Sequence, residues 1–93
     1  MSKIELQKKL MQLQQNHPNL TLPFIYGKDA TAESLQELYN DKVKEAIAEL
    51  RTKLMKLQQK HPNLTLPFIF GKDATIEVLQ KLYNDKVQEI KDN

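Results

Sequence analysis

The sequence predicts an all-α fold made of two copies of one helix–loop–helix unit. Residues 6–49 and 50–93 align at an offset of 44 positions, and 31 of the 44 aligned pairs are identical. In each copy, apolar residues recur at spacings of three and four, which is typical of helices with one buried face. Both glycines and all four prolines lie in the segment between the two helical stretches of a copy. Because a repeat of fixed period indicates stacked copies of one unit, we expect a single domain over residues 1–93, with pseudo-two-fold symmetry between repeats 6–49 and 50–93.

The first helix is predicted over about Ser2–Asn16. Ile4, Leu6, Leu10, Met11 and Leu13 lie near the three-and-four spacing of one helical face, and Lys, Gln and Glu fill the other face. His17 precedes a proline, and a residue in that position is disfavoured in the α region, so the helix is expected to end there.

A loop with a short extended segment follows the first helix. Leu20–Tyr26 is rich in β-branched and aromatic residues, which favours a strand-like conformation. Pro23 has no backbone N–H and would restrict such a strand to an edge. Gly27 is predicted to allow a turn with positive φ, and Asp29 or Thr31 to cap the next helix. The second copy repeats this loop 44 positions later.

A long central helix joins the two copies. No glycine or proline occurs between Gly27 and Pro62, and the apolar spacing continues across the junction. Thr31–Lys60 is therefore predicted as one helix, about 45 Å long at 1.5 Å per residue. A last helix is predicted over Thr75–Lys91. The alternative is a four-helix bundle in which the central helix breaks near residues 48–52.

The order of short helix, strand-like loop, long helix, strand-like loop and short helix resembles the histone fold, which is itself a tandem of helix–strand–helix units. This resemblance concerns the order of the elements only and carries no sequence motif. It implies a histone-like architecture and, as an alternative function, a DNA-binding module.

A long amphipathic helix with one short helix at each end is expected to leave apolar surface uncovered, and a second copy of the chain would cover it. We therefore predict a two-fold homodimer, with helix exchange between the chains as one form of it. The predicted core and dimer residues are Leu35, Tyr39, Val43, Ile47, Leu50, Leu54, Leu57, Leu79, Tyr83 and Val87.

The composition indicates a soluble globular protein, because 40% of the residues are hydrophobic and 28% are charged. Cysteine is absent, which excludes disulfides and thiolate chemistry. No apolar run approaches the roughly 20 residues of a membrane span. The start of the sequence, Met1–Glu5, is helix-like and unlike a signal peptide, so we expect a cytoplasmic protein or a recombinant one without a natural compartment.

The charge pattern argues against a nucleic-acid-binding protein without excluding it. The formal net charge is +2, the signs are mixed along each copy, and Arg51 is the only arginine. Nucleic-acid domains more often present a basic face with arginines. Under this alternative the phosphate-binding residues would be Lys28, Lys42, Lys53, Lys72 and Lys86.

No catalytic or cofactor site is predicted. His17 and His61 occupy equivalent positions and are the weak candidates for metal binding, but each precedes a proline, and an exposed position at a helix end is the preferred interpretation. No His or Cys is arranged with a hydroxyl as a nucleophile–base pair. Phe24 and Phe68 are expected to face the core.

The close identity of the two copies favours a unit that was duplicated or symmetrised by engineering, since naturally diverged halves differ more outside the core. A fully de novo chain and a recent natural duplication are the alternatives. The predicted function is a non-enzymatic, structural and self-associating helical repeat protein. Its expected partner is a second copy of itself, with no membrane and no small-molecule substrate. The alternatives are the histone-like DNA-binding module and a protein–protein adaptor.

Overall fold

The computed structural model describes residues 2–92, which form three α-helices and no β-strand. Helix α1 spans Lys3–Asn16, α2 spans Ala32–Lys60 and α3 spans Ile76–Asp92. The all-α prediction is confirmed, and each helix begins and ends within one residue of its predicted bounds. Helix α2 runs without interruption through residues 48–52, where the four-helix alternative requires a break.

Short-range hydrogen bonds mark the ends of α1. The side chain of Ser2 accepts a 3.2 Å bond from the backbone N–H of Glu5, which satisfies one of the free donors at the helix start. At the other end, the backbone N–H of His17 donates to the carbonyl of Leu13 at 2.9 Å. The proline after His17 prevents a further helical turn.

The chain divides into two compact units between Ala46 and Ile47, three residues before the junction of the sequence repeats. The first unit combines α1, its loop and the first half of α2. The second combines the rest of α2, the second loop and α3. Each unit has its own apolar cluster, and the buried members are equivalent pairs: Leu6 and Leu50, Leu10 and Leu54, Ile25 and Ile69, Ala30 and Ala74, Leu35 and Leu79.

The two predicted strand-like segments are not β-strands in the described chain. Side chains, instead of a neighbouring strand, hydrogen-bond to the loop carbonyls. In the first loop, Gln14 donates to the carbonyl of Leu20 at 3.1 Å and Gln7 to that of Ile25 at 2.8 Å. Pro23 removes one backbone donor as well. The extended pattern therefore belongs to a loop held by helix side chains.

The predicted positive φ at Gly27 is wrong, since neither glycine adopts one. A Cβ atom at Gly27 would lie 3.4 Å from two ring atoms of Phe24, and one at Gly71 would lie 3.5 Å from the ring of Phe68. These are ordinary van der Waals distances, so the rings would accommodate a Cβ atom at either position.

Candidate functional site

Each loop displays a pair of aromatic rings on the protein surface. The centroids of Phe24 and Tyr26 are 6.2 Å apart with planes inclined at 59°, and those of Phe68 and Phe70 are 6.1 Å apart at 52°. Phe24 and Phe68 are each 79% exposed, so the prediction that they face the core is wrong. We call each pair, with the proline and glycine beside it, the aromatic face of its unit.

The local backbone explains why these rings point outward. Ile25 is buried in the apolar cluster of the first unit. In an extended segment, alternate side chains point to opposite sides, so the two neighbours of Ile25 face the solvent. The bond from Gln7 to the carbonyl of Ile25 holds this orientation. The hydroxyl of Tyr26 also donates to the sulfur of Met11 on α1 at 2.6 Å.

The second unit builds the same arrangement with one different side chain. Arg51 is the residue equivalent to Gln7, and its Nε donates to the carbonyl of Ile69 at 2.7 Å. Its guanidinium also lies over the ring of Phe70, with the Cζ atom 5.0 Å from the ring centroid. Gln58 donates to the carbonyl of Leu64 at 3.2 Å, as Gln14 does to its equivalent in the first loop. The aromatic faces are therefore held in place in both units.

Leaving these rings exposed has an energetic cost. Full burial of a phenylalanine side chain stabilises a protein by about 1.5–3 kcal/mol, and most of that is forgone at Phe24 and at Phe68. Single exposed apolar residues are ordinary, but a contiguous apolar patch marks an interaction site. In each unit two exposed rings lie side by side, so neither is a single isolated apolar residue.

A groove of about 460 Å³ adjoins the aromatic face of the first unit. Pro23, Phe24 and Gly27 line it from the loop, and Leu35 and Leu38 line it from α2. Apolar residues make up most of this lining, and Ser34 and Asp29 are its polar members. The surface therefore combines a projecting ring with an adjacent depression of similar chemistry.

The lysines predicted for phosphate binding divide into two groups. Lys42 and Lys86 contact Glu45 and Glu89 at 2.9 and 3.0 Å, and Lys53 contacts Glu49 at 3.6 Å. The remaining two, Lys28 and Lys72, are exposed on the loops, each followed by an exposed aspartate. The nearby carboxylates reduce the positive potential that a phosphate would meet.

The two histidines differ in exposure despite their equivalent positions. His61 is exposed, as predicted, and lines a groove of about 490 Å³ with Lys60, Leu64 and Ile90. His17 is only 4% exposed, so its predicted exposure is wrong. Among residues 2–92, no group of three or more His, Asp or Glu side chains is placed to hold a metal ion.

The residues predicted for the core and dimer lie on α2 and α3 and divide between the two units. Leu35, Leu50, Leu54 and Leu79 are buried. Tyr39, Ile47 and Tyr83 pack at the edges of the two clusters. The others are half-buried: Val43, Leu57 and Val87. The clusters of the individual units thus account for most of this set.

Sequence reasoning missed Gln7 and Arg51, the side chains that hold the loops, because nothing in a polar helix position indicates a long-range bond. It also missed the exposure of the aromatic residues. The alternation at Pro23–Tyr26 was the available signal, since only one side of an extended segment can be buried.

The chain was compared with protein-family models, with curated proteins and with solved structures, and no match was found in any of the three. Within the described residues, none of the helices has both the length and the apolar character that a bilayer crossing requires.

Proposed function

We propose that the chain is a non-enzymatic, structural protein that associates with a second copy of itself, and that duplication of one helix–loop–helix unit produced it. The observation that carries this proposal is the 79% exposure of both Phe24 and Phe68 at equivalent positions. An aromatic side chain held outward by its own loop, twice in 93 residues, is better suited to burial at an interface than to solution.

The sequence repeat adds support to this proposal. The aromatic loops are almost unchanged between the copies, with Tyr26 and Phe70 as the one difference in residues 17–31 and 61–75. A homodimer also suits a chain whose apolar residues are divided between two small clusters, because small cores supply little stability and association is a common remedy.

The nucleic-acid alternative has less support. A histone-like module would use five lysines against phosphates, and three of them, Lys42, Lys53 and Lys86, lie within 4 Å of glutamates. The protein–protein adaptor, with a partner of different sequence, has a specific observation in its favour, which is the apolar groove of about 460 Å³. An adaptor would differ from a self-associating protein in being monomeric in the absence of its partner.

The test is the solution mass by light scattering after size exclusion, over a hundred-fold range of protein concentration. Self-association predicts a mass that rises to about 22 kDa, twice the 10.9 kDa of the chain. A constant mass of 10.9 kDa over the whole range would contradict the proposal and favour the adaptor.

A further inference from the structure

We infer that Met11 and Met55 differ in their sensitivity to peroxide oxidants, because the hydroxyl of Tyr26 protects Met11 and the equivalent Phe70 has no hydroxyl to protect Met55. The modification is the oxidation of a thioether to a sulfoxide, and Met55 is the site that takes it more readily. This inference goes beyond the proposed self-association and does not depend on it, since it concerns the chemistry of single side chains.

The two methionines are matched in position and in access. Met11 lies on α1 and Met55 on α2, separated by the 44 positions of the repeat. Their exposed fractions are 44% and 47%, and each follows a fully buried leucine. Because oxidation of a side chain depends on exposure, a dissolved peroxide reaches both methionines to a similar extent.

The two sulfur atoms differ in hydrogen bonding. The hydroxyl of Tyr26 donates to the Sδ of Met11 at 2.6 Å. The equivalent ring in the second unit is Phe70, which cannot make this bond. The rings themselves are placed alike, since their centroids lie 6.2 and 6.1 Å from the phenylalanine two positions before each. The hydroxyl is therefore the feature that separates the two methionines.

Oxidation uses the electrons that this hydrogen bond engages. A sulfur lone pair attacks one oxygen of hydrogen peroxide, so that an S–O bond forms and the O–O bond breaks. The departing hydroxide takes the proton of the transferred oxygen and leaves as water, with sulfur oxidised by two electrons and the peroxide reduced. A thioether is a weak acceptor, and a hydroxyl bonded to it makes its lone pairs less available. Tyr26 thus lowers the reactivity of Met11.

The modified side chain is compatible with the fold. A sulfoxide replaces an apolar group by a polar one, which is costly in a core. Met55 is exposed, so its sulfoxide oxygen would remain in water. The chain is therefore expected to keep its helices after oxidation at this position.

The experiment is a timed reaction of the purified full chain with dilute hydrogen peroxide, followed by cleavage after glutamate and mass spectrometry. This cleavage releases residues 6–33 and 50–77, which contain one methionine each. Both rates come from one sample, so the oxidant concentration cancels in their ratio. Met55 should react about threefold faster or more, the factor expected when an ordinary hydrogen bond must be given up. Equal rates, or a faster reaction at Met11, would overturn the inference.

Exchange of the two aromatic side chains tests the hydroxyl directly. Tyr26→Phe keeps the ring, removes only the hydroxyl and should bring the two rates to within about 1.5-fold of each other. The reciprocal Phe70→Tyr should slow the reaction of Met55. Tyr26 and Phe70 are 54% and 55% exposed, so both variants are expected to fold, which circular dichroism checks before the reaction.

A rate ratio that Tyr26→Phe leaves unchanged would assign the difference to another feature and overturn the inference. None of these outcomes bears on self-association, which the solution mass tests separately.

Discussion

The guanidinium carbon of Arg51 lies 5.0 Å from the centroid of the Phe70 ring, while the Nε of the same side chain donates to the carbonyl of Ile69 at 2.7 Å. One side chain thus holds the loop backbone and covers an aromatic ring. In the first unit, Gln7 makes only the equivalent backbone bond, at 2.8 Å to Ile25. Comparison of Gln7 with Arg51 therefore separates the backbone hydrogen bond, which both make, from the ring contact, which is described for Arg51.

Arg51→Gln should cost less stability than Arg51→Ala. Glutamine spans the same gap in the first unit, so this variant keeps the backbone bond and loses the cation–π contact, at about 0.5–1 kcal/mol. Alanine loses the hydrogen bond as well, which adds about 0.5–1.5 kcal/mol. Urea unfolding followed by circular dichroism measures both variants. Equal losses would show that the hydrogen bond to Ile69 contributes nothing.

Leu10→Ala and Leu54→Ala should destabilise the protein by similar amounts, about 2–5 kcal/mol each. These residues occupy equivalent places in the two apolar clusters, and both are fully buried. Met55→Ala is the matched control, since Met55 is exposed one position after Leu54, and its cost should stay within about 0.5 kcal/mol. Denaturant midpoints provide the measurement. A much smaller loss for Leu54→Ala than for Leu10→Ala would contradict the equivalence of the clusters.

Val78→Ser should stabilise the start of α3, and Ser34→Val should destabilise the start of α2. The hydroxyl of Thr31 accepts from the N–H of Ser34 at 3.1 Å, and the hydroxyl of Ser34 accepts from the N–H of Thr31 at 3.0 Å. At α3 only the bond from the N–H of Val78 to Thr75 is present, at 3.3 Å.

Val78→Ser therefore adds one capping bond and Ser34→Val removes one. Each change should alter the free energy of unfolding by about 0.5–2 kcal/mol, in opposite directions. Thermal unfolding of the two variants and of the double variant measures it. Because the double variant exchanges the two helix starts, its stability should return close to that of the wild type. A loss of stability on Val78→Ser would contradict the role assigned to the serine hydroxyl.

Helix positions were predictable because their signals are local. Glycine and proline occur only between the helices, and Thr31 lies at the position where a cap was predicted. The absence of either residue between Gly27 and Pro62 indicated the uninterrupted α2. These features act through hydrogen bonds and steric effects within a few residues, so no tertiary information was needed.

The candidate site was predicted less well, for two physical reasons. The alternation around Ile25 indicated an extended segment but not which side would be buried, and Phe24 was assigned to the core. The loop carbonyls are bonded by Gln7 and Gln14, 18 and 6 positions away in sequence, and a sequence pattern does not identify such partners.

The sequence by itself determined the all-α class, the approximate helix bounds and the repeat of the unit, since helix formation depends on neighbours three and four positions apart. The structure decided that α2 is unbroken. Only the tertiary structure decided which side chains are exposed. His17 and His61 share nearly identical local sequences, yet one is buried and the other exposed. Ile25 is buried while Phe24 beside it is exposed. Burial is decided by what packs against a residue in space, and identical local sequences leave that open.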